Sequence, residues 1–399
     1  MRNRRDFGMK NKAYKWIVGL LAGSLLISPL LPVEVEAASQ AAPSLSINGG
    51  TAQGGEVEIR GGRTYIAVQA ASERLGFRVD YNRGSKLVTL LRPDTMLKMT
   101  LGRAEADIDG KRVKIGAAAF VENGQVYVPV QALASALKSK SGWKAEAKTV
   151  TLSDPGRYVI HSEGGQTVWV SFAKGDVYSL EAGAPKKLAG ANVSGLDWGT
   201  VDVRALGSGS YLLSVGREYV ASSQTVHNRF QFVVQKGKVT KQAHYRYSGM
   251  YNTDVFGPKT LPAQRAYVSD GRTVQVVGAG GRAAADYDLA KLTKQTGPFI
   301  VESVTADYLL VRAFDTLQPT VIDLNTGRSS LLYKTLLGQS ERAEWDEVTT
   351  DVGERVLLQS RLRFVKQEGN RLDFTYKKIA SGPDQFGREF KVSYTLKPS

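Results

Sequence analysis

Cysteine is absent from the 399-residue chain. Disulfides, thiolate metal ligands and cysteine nucleophiles are thereby excluded, as is a lipid anchor carried on cysteine. Histidine is nearly absent: only His161, His227 and His244 occur. No two of them stand two or four residues apart, the spacing that sets paired imidazoles on one strand or helix face. No Gly-x-Ser-x-Gly turn lies near any of them, so a Ser-His-Asp triad has no support. The expectation is no catalytic residue, no metal site and no cofactor.

Acidic residues are in deficit, 38 against 53 Lys and Arg, for a net charge of +15. No run of five or more like charges occurs. The chain also has no zinc-ligand spacing, helix-turn-helix signature or ribonucleoprotein-type motif. Nucleic acid is therefore not expected as a partner.

What is present begins with an export pattern. Residues 1–15 carry six Lys or Arg and one Asp, and residues 16–33, WIVGLLAGSLLISPLLPV, carry no charge. Val35 and Ala37 then supply the small side chains a signal peptidase needs, which predicts cleavage between Ala37 and Ala38. Pro29 and Pro32 interrupt the apolar run, so no permanent membrane span is expected. Cleavage would remove six of the 53 basic and three of the 38 acidic residues, leaving +12. Outside a cell, such a surface favours anionic polymers.

The middle of the chain repeats itself. GRTYIAVQAASERL at 62–75 and GQVYVPVQALASAL at 124–137 align at an offset of 62. In that register Tyr65 meets Tyr127, Val68-Gln69-Ala70 meets Val130-Gln131-Ala132, and Leu75 meets Leu137. Tyr81 meets Trp143, and Val88-Thr89-Leu90 meets Val150-Thr151-Leu152. Ile47-Asn48-Gly49 and Ile108-Asp109-Gly110 extend the likeness upstream. Self-similarity of this length marks two copies of one supersecondary unit. Each copy reads as a strand, a short helix and a hairpin. Leu133 and Leu137 share a helical face, Pro129 suits the helix start, and Gly76 suits a helix end. The alternation of Leu97, Met99 and Leu101 predicts further strand between the copies.

These features resemble the copper amine oxidase N-terminal, or stalk, domain. The likeness rests on the Ile-Asn-Gly-type turns, on Tyr127-Val128-Pro129-Val130 before a helix ending at Leu137, and on the aromatic residue before the Thr-Val-Thr-Leu hairpin. It covers residues 45–153. The first copy departs with Ala67 in place of proline, the second with Lys138 in place of glycine. The resemblance implies a secreted or wall-associated module, common in Gram-positive bacteria. It does not imply amine oxidation. That chemistry resides in a separate catalytic domain with a tyrosine-derived quinone in an Asn-Tyr context and three copper-binding histidines. The chain has no Asn-Tyr dipeptide.

From Gly156 short alternating strands and glycine turns take over. Hairpin-like phrases recur near 178, 232, 287, 322 and 374, a spacing that suggests blades of four strands. The organisation read from the sequence is a signal peptide at 1–37, a linker at 38–44, the stalk-type domain at 45–153 and an all-β domain at 156–396. The expected fold class is α+β for the duplicated domain, followed by a β-propeller of about five blades.

Within that region HYRYSGMY (244–251) interleaves aromatic rings with a guanidinium, the chemistry that stacks on sugar faces and holds anionic groups. Tyr245, Arg246, Tyr247 and Tyr251 are the candidate ligand-binding residues. A turn at Lys236-Gly237 predicts Arg229 opposite His244 and His227 opposite Arg246. The pairs Asp107/Asp109 and Asp286/Asp288 read as turn and strand residues, since neither fits a calcium loop. The expected function is non-enzymatic binding or scaffolding at the bacterial cell surface, on anionic wall polymer or polysaccharide. The alternative is an extracellular polysaccharide-active hydrolase or lyase with its site in the β-rich domain.

Overall fold

The computed structural model describes residues 43–50, 57–221, 224–249, 265–346, 361–378 and 388–397. The expected export signal, its Ala37–Ala38 cleavage point and Tyr251 lie outside the described residues. Among the described residues the chain is mostly β, with few helices and many small sheets whose strands run antiparallel with one exception, the β1–β12 pair below. Among the described residues no helix is long and apolar enough to cross a membrane.

The first repeat contains β1 (Ser44–Ile47), β2 (Val57–Arg60), β3 (Arg63–Ala67), α1 (Val68–Leu75), β4 (Arg78–Asn82) and β5 (Leu87–Arg92). A connecting strand, β6 (Thr95–Thr100), follows. The second repeat contains β7 (Glu105–Ile108), β8 (Lys111–Lys114), β9 (Phe120–Glu122), β10 (Gln125–Pro129), α2 (Val130–Ala136), β11 (Ser141–Lys144) and β12 (Thr149–Leu152). Both sequence departures are absorbed without a change of backbone. Ala67 and Pro129 precede their helices at the same φ of −61°, with ψ of 134° and 133°. Gly76 and Lys138 both take the left-handed conformation after the helix, at φ 67° and 52°.

The copies meet about a local twofold. β3 and β10 pair antiparallel, with Tyr65 opposite Pro129, Ile66 opposite Val128 and Ala67 opposite Tyr127. Ile66 and Val128 are repeat equivalents, so the axis passes between them. β1 of the first copy pairs in parallel with β12 of the second. The symmetry mate of that contact would be β7 against β5, and it is not made. β6 is inserted instead, in the sheet order β4-β5-β6-β7-β8. Its alternation buries Thr95, Leu97 and Met99, so the connector has become a core strand. One hydrophobic cluster, drawn from Leu45 to Leu152, unites both copies.

Five antiparallel sheets follow in chain order, each a meander of sequential neighbours. The first holds β13 (Tyr158–Glu163), β14 (Gln166–Ser171), β15 (Asp176–Glu181) and β16 (Ala184–Asn192). The second holds β17 (Thr200–Gly207), β18 (Ser210–Ala221), β19 (Gln224–Gln235) and β20 (Lys238–Gly249). The third holds β21 (Ala266–Ser269), β22 (Thr273–Val277) and β23 (Ala283–Asp288). β24 (Phe299–Val304), β25 (Tyr308–Ala313), β26 (Pro319–Asp323) and β27 (Arg328–Leu331) form the fourth. β28 (Leu362–Glu368), β29 (Arg371–Lys377) and β30 (Glu389–Thr395) form the fifth.

The phrase near 287 is not a hairpin: β23 runs into a short helix, α3 (Leu289–Thr293). Asp288 stops the strand because its carboxylate accepts the Lys291 amide at 3.0 Å and caps the helix. Two more helices, α4 (Leu332–Leu336) and α5 (Gln339–Asp346), follow the fourth sheet and bury Leu332, Tyr333 and Trp345 in a core shared with β28 and β29.

The duplicated module is joined to the first of these sheets by direct contacts. Gly76 is required here as well as permitted, because an added Cβ would stand 2.5 Å from the Tyr158 carbonyl oxygen. The buried Trp169 donates its indole N–H to the Gly76 carbonyl at 2.9 Å. Arg92 reaches Asp154 at 2.8 Å, and neither side chain is more than 3% exposed.

Candidate functional site

The second sheet is built from unusually long strands. β18, β19 and β20 have twelve residues each, whereas β13 to β15 have six. Their far ends form one wall of a cleft of about 590 Å³. Strand alternation selects the residues on that wall. Gly216, Arg229 and Tyr245 form one rung across the three strands, and Glu218, His227 and Tyr247 form the next.

This register differs from the predicted one. Gln235 pairs with Lys238 as expected for a turn at Lys236-Gly237, but a bulge at Thr240 shifts every later pair by one residue. Arg229 therefore faces Tyr245, and Phe230 faces His244. A one-residue slip exchanges the two faces of a strand. It brings Tyr245 and Tyr247 onto the cleft face and turns His244 to the other. Arg246 also lies on that other face, opposite Asn228, although it borders the cleft.

The opposing wall comes from distant segments. Tyr267 and Ser269 of β21, the turn at Asp270-Gly271, the segment Pro298–Val301 and Phe314 complete the lining. Gln231 fastens β21 to β19: it donates to the Tyr267 carbonyl and accepts the Ser269 amide at 3.1 Å. The Phe299 amide donates to Gly271 at 2.6 Å and secures β24 to the same turn. Gly216 has a spatial role, since a Cβ there would come within 3.3 Å of the Arg229 Nε.

Rings dominate the interior. Tyr245 and Tyr247 stack at 5.7 Å, His227 stacks on Tyr247 at 4.5 Å, and Phe314 meets Tyr247 edge-on at 5.5 Å. At the rim the Arg217 guanidinium lies 4.5 Å from the Trp198 ring centroid and 4.0 Å from that of Tyr219, and it pairs with Asp197. Trp198 is 50% exposed, so the rim offers an open aromatic surface held by a cation.

Burial raises the Tyr245, Tyr247 and Tyr267 phenols well above the ordinary tyrosine value, and the nearby Arg229 cation only partly offsets this. A raised phenol keeps its proton at neutral pH, so each hydroxyl can offer a ligand a hydrogen bond rather than act as a base. Arg229 itself is exposed and has no hydrogen-bond or ion-pair partner among the described residues. Glu218 lies 3.3 Å from His227 Nδ1. The cleft thus combines a permanent cation, three phenolic donors and flat apolar faces.

Asp270 serves the turn. Burial pushes its carboxyl up, but bonds from the Thr273 and Arg272 amides and the Thr273 hydroxyl outweigh that and hold it below the usual range. A depressed native pKa stabilises the fold above the unfolded value of roughly 3.9 and loses that contribution as pH falls through the native value. Asp270→Ala is expected to lower stability by about 1 kcal/mol at neutral pH. Urea unfolding of wild type and variant should differ fully above about pH 4 and converge only as pH falls further, through the depressed native value.

The other expected candidates are accounted for differently. Asp107 accepts the Gly110 amide and Asp109 the Met96 amide, both at 2.8 Å, so Asp107 closes the turn and Asp109 ties it to β6. Asp286 pairs with Lys241 at 3.2 Å, and Asp288 caps α3. The histidines do not converge: His161 lies on β13, while His227 and His244 lie on opposite faces of the second sheet. Sequence reasoning missed Arg229, Tyr267 and Trp198. For Arg229 the signal was present, two residues from His227 on a strand face. For Tyr267 and Trp198 there was none, because separate turns bring them in.

Residues 48–179 match the copper amine oxidase N-terminal domain family. The match runs past the expected boundary at 153 and takes in β13, β14 and part of β15, the strands that carry Tyr158 and Trp169 onto Gly76. No curated protein matches the chain. Apo AztD from Citrobacter koseri is 10% identical, with 64% of this chain and 84% of that one covered at a TM-score of 0.19. Pyrococcus horikoshii acylaminoacyl peptidase is 8% identical, with 81% and 42% covered at 0.20. Scores of this size carry no argument about fold or activity. Residues 48–179 are thus the part of the chain that matches the copper amine oxidase N-terminal domain family; no oxidase catalytic domain family is detected, and the described residues beyond them are mostly β with three short α-helices.

Proposed function

We propose that this is a secreted, non-enzymatic cell-envelope protein of a Gram-positive type, and that its β-rich region binds an anionic wall polymer or polysaccharide in the cleft lined by Arg229. The apolar run at 16–33 and the small residues before Ala38 support export. The two short helices among the strands of the N-terminal module support an α+β reading of that part. Five successive meanders of three or four strands support a β-propeller of five blades, with β13 and β17 as neighbouring first strands. Amine oxidation is not part of this reading.

The observation that carries it is Arg229, an unneutralised guanidinium among three protonated tyrosines. Anionic sugars present the matching chemistry: a carboxylate or phosphate for the cation, hydroxyls for the phenols, and a ring face for the aromatics. The test is retention of the chain on purified cell wall, teichoic acid and uronate polysaccharide, with salt titration. Retention at low salt that falls as salt rises is the expected result. No retention on any of these polymers overturns the reading.

A second reading, a polysaccharide lyase or hydrolase, is favoured by the Glu218–His227 contact beneath Tyr247. These two groups are the proton acceptors placed for acid–base work in the cleft. Release of new reducing or unsaturated ends from the bound polymer would establish it.

A further inference from the structure

A second group of side chains converges outside the cleft. His161 and Glu163 are two apart on β13, so alternation sets them on one face. Asp202 comes from β17, the first strand of the next sheet. One donor atom from each lies within 4.8 Å of the others, and His161 Nε2 is 3.5 Å from the Glu163 carboxylate. We propose that His161, Glu163 and Asp202 bind a divalent first-row transition-metal cation between the two sheets.

Three observations carry the proposal. First, the donors are fixed from both sides. β13 and β17 are each hydrogen-bonded into their own sheet, and the turn at Gly164 packs against Ala205, so closely that a Cβ on Gly164 would lie 3.1 Å from it. Second, neither carboxylate has a Lys or Arg within ion-pair distance among the described residues, in a chain whose net charge is +15. Two anions left together amid a basic excess match a doubly charged cation. Third, the donor types are mixed. An imidazole with two carboxylates suits zinc, manganese or iron(II), whereas calcium and magnesium prefer oxygen donors alone. His161 is only partly buried and both carboxylates are exposed, so a cation can enter from solvent and keep water in its remaining positions. The sequence signal was His161-Ser162-Glu163, an i, i+2 pair of unlike ligands that a search for paired histidines passes over.

The scarcity of ligands makes the test sharp, because the chain offers no cysteine and only three histidines. The full chain is titrated with Zn²⁺ alone in a buffer that does not chelate it, and binding is read by calorimetry and by thermal melting. One Zn²⁺ per chain and a raised Tm are expected. His161→Ala and Asp202→Asn should each weaken binding by more than about tenfold. His244→Ala, on β20 at the opposite edge of the sheet from the β17 strand of Asp202, should leave it unchanged. Glu163→Gln is the second variant should His161→Ala fail to give a wild-type circular dichroism spectrum, and it should lose affinity likewise. Absence of zinc binding, binding that survives these substitutions, or binding lost in His244→Ala overturns the proposal.

Discussion

Replacing Arg229 with alanine is expected to cost about 2–3 kcal/mol of polymer binding, a loss of roughly 30- to 150-fold. The size follows from the surroundings. A charge-assisted bond is stronger than a neutral one, and Arg229 shares the cleft wall with Tyr245, Tyr247 and Tyr267, where a bound polymer would displace water from the exposed guanidinium. The cation has no internal partner among the described residues, so its removal leaves no carboxylate stranded and should leave the unfolding midpoint where it was. The salt dependence of binding should also flatten, because one ionic contact has gone. Arg246→Ala is the matched control. It removes the same charge from the border of the cleft, on the opposite face of the same sheet from the rings, and should weaken binding less than about threefold, as a charge outside the ring-lined wall does. Equal losses in the two variants would show that net charge, and not the cleft, does the binding.

The second large effect concerns stability. Arg92→Met is expected to destabilise the protein by about 3–5 kcal/mol, measured by urea unfolding. Arg92 is 1% exposed. Its guanidinium donates to Asp94 at 2.6 and 3.0 Å, to Asp154 at 2.8 Å, and to the Leu75 carbonyl at the end of α1 at 2.8 Å. It also lies 5.2 Å from the centroid of Phe77 and 4.7 Å from that of Tyr158. Methionine fills the volume but strands Asp154, which is 3% exposed, with one partner fewer. The cost comes mainly from that uncompensated charge, so Arg92→Met with Asp154→Asn should lose less than the sum of the single changes. Arg371 shows why burial decides the matter. It too contacts two carboxylates, Glu368 and Asp373, but is half-exposed, and its loss should barely register.

Arg92 and Asp154 also bear on the origin of the repeat, since 62 residues separate them, the repeat offset itself. Equivalent positions in the two copies have become opposite charges that now bind one another. The duplication was readable because core positions such as Tyr65/Tyr127 and Leu75/Leu137 cannot drift without opening cavities. The inserted β6 was not readable in its role: the alternation of Leu97 and Met99 predicts a strand, and only pairing decides between which neighbours it lies. The cleft was partly readable. Tyr245 and Tyr247 attracted notice because they stand close in sequence, yet their neighbours depend on Thr240, whose bulge has no marker in the local pattern. Tyr267, Trp198 and Phe314 are ordinary apolar positions until the turns place them. The same holds for Asp202, an exposed strand aspartate until β17 sets it beside His161.

The parallel pairing of β1 with β12 has a mechanical consequence. Its bonds run from the Ser44 amide to Lys148 and from the Asn48 amide to Leu152, both at 3.0 Å, and the Asn48 side chain adds a reciprocal pair with the Asp154 backbone. A pull entering ahead of residue 44 and leaving beyond residue 154 draws these two strands past each other lengthwise. Every rung is then loaded at once, rather than opened in turn like a zipper. A module tethered at one end and carrying cargo at the other resists tension best in that geometry.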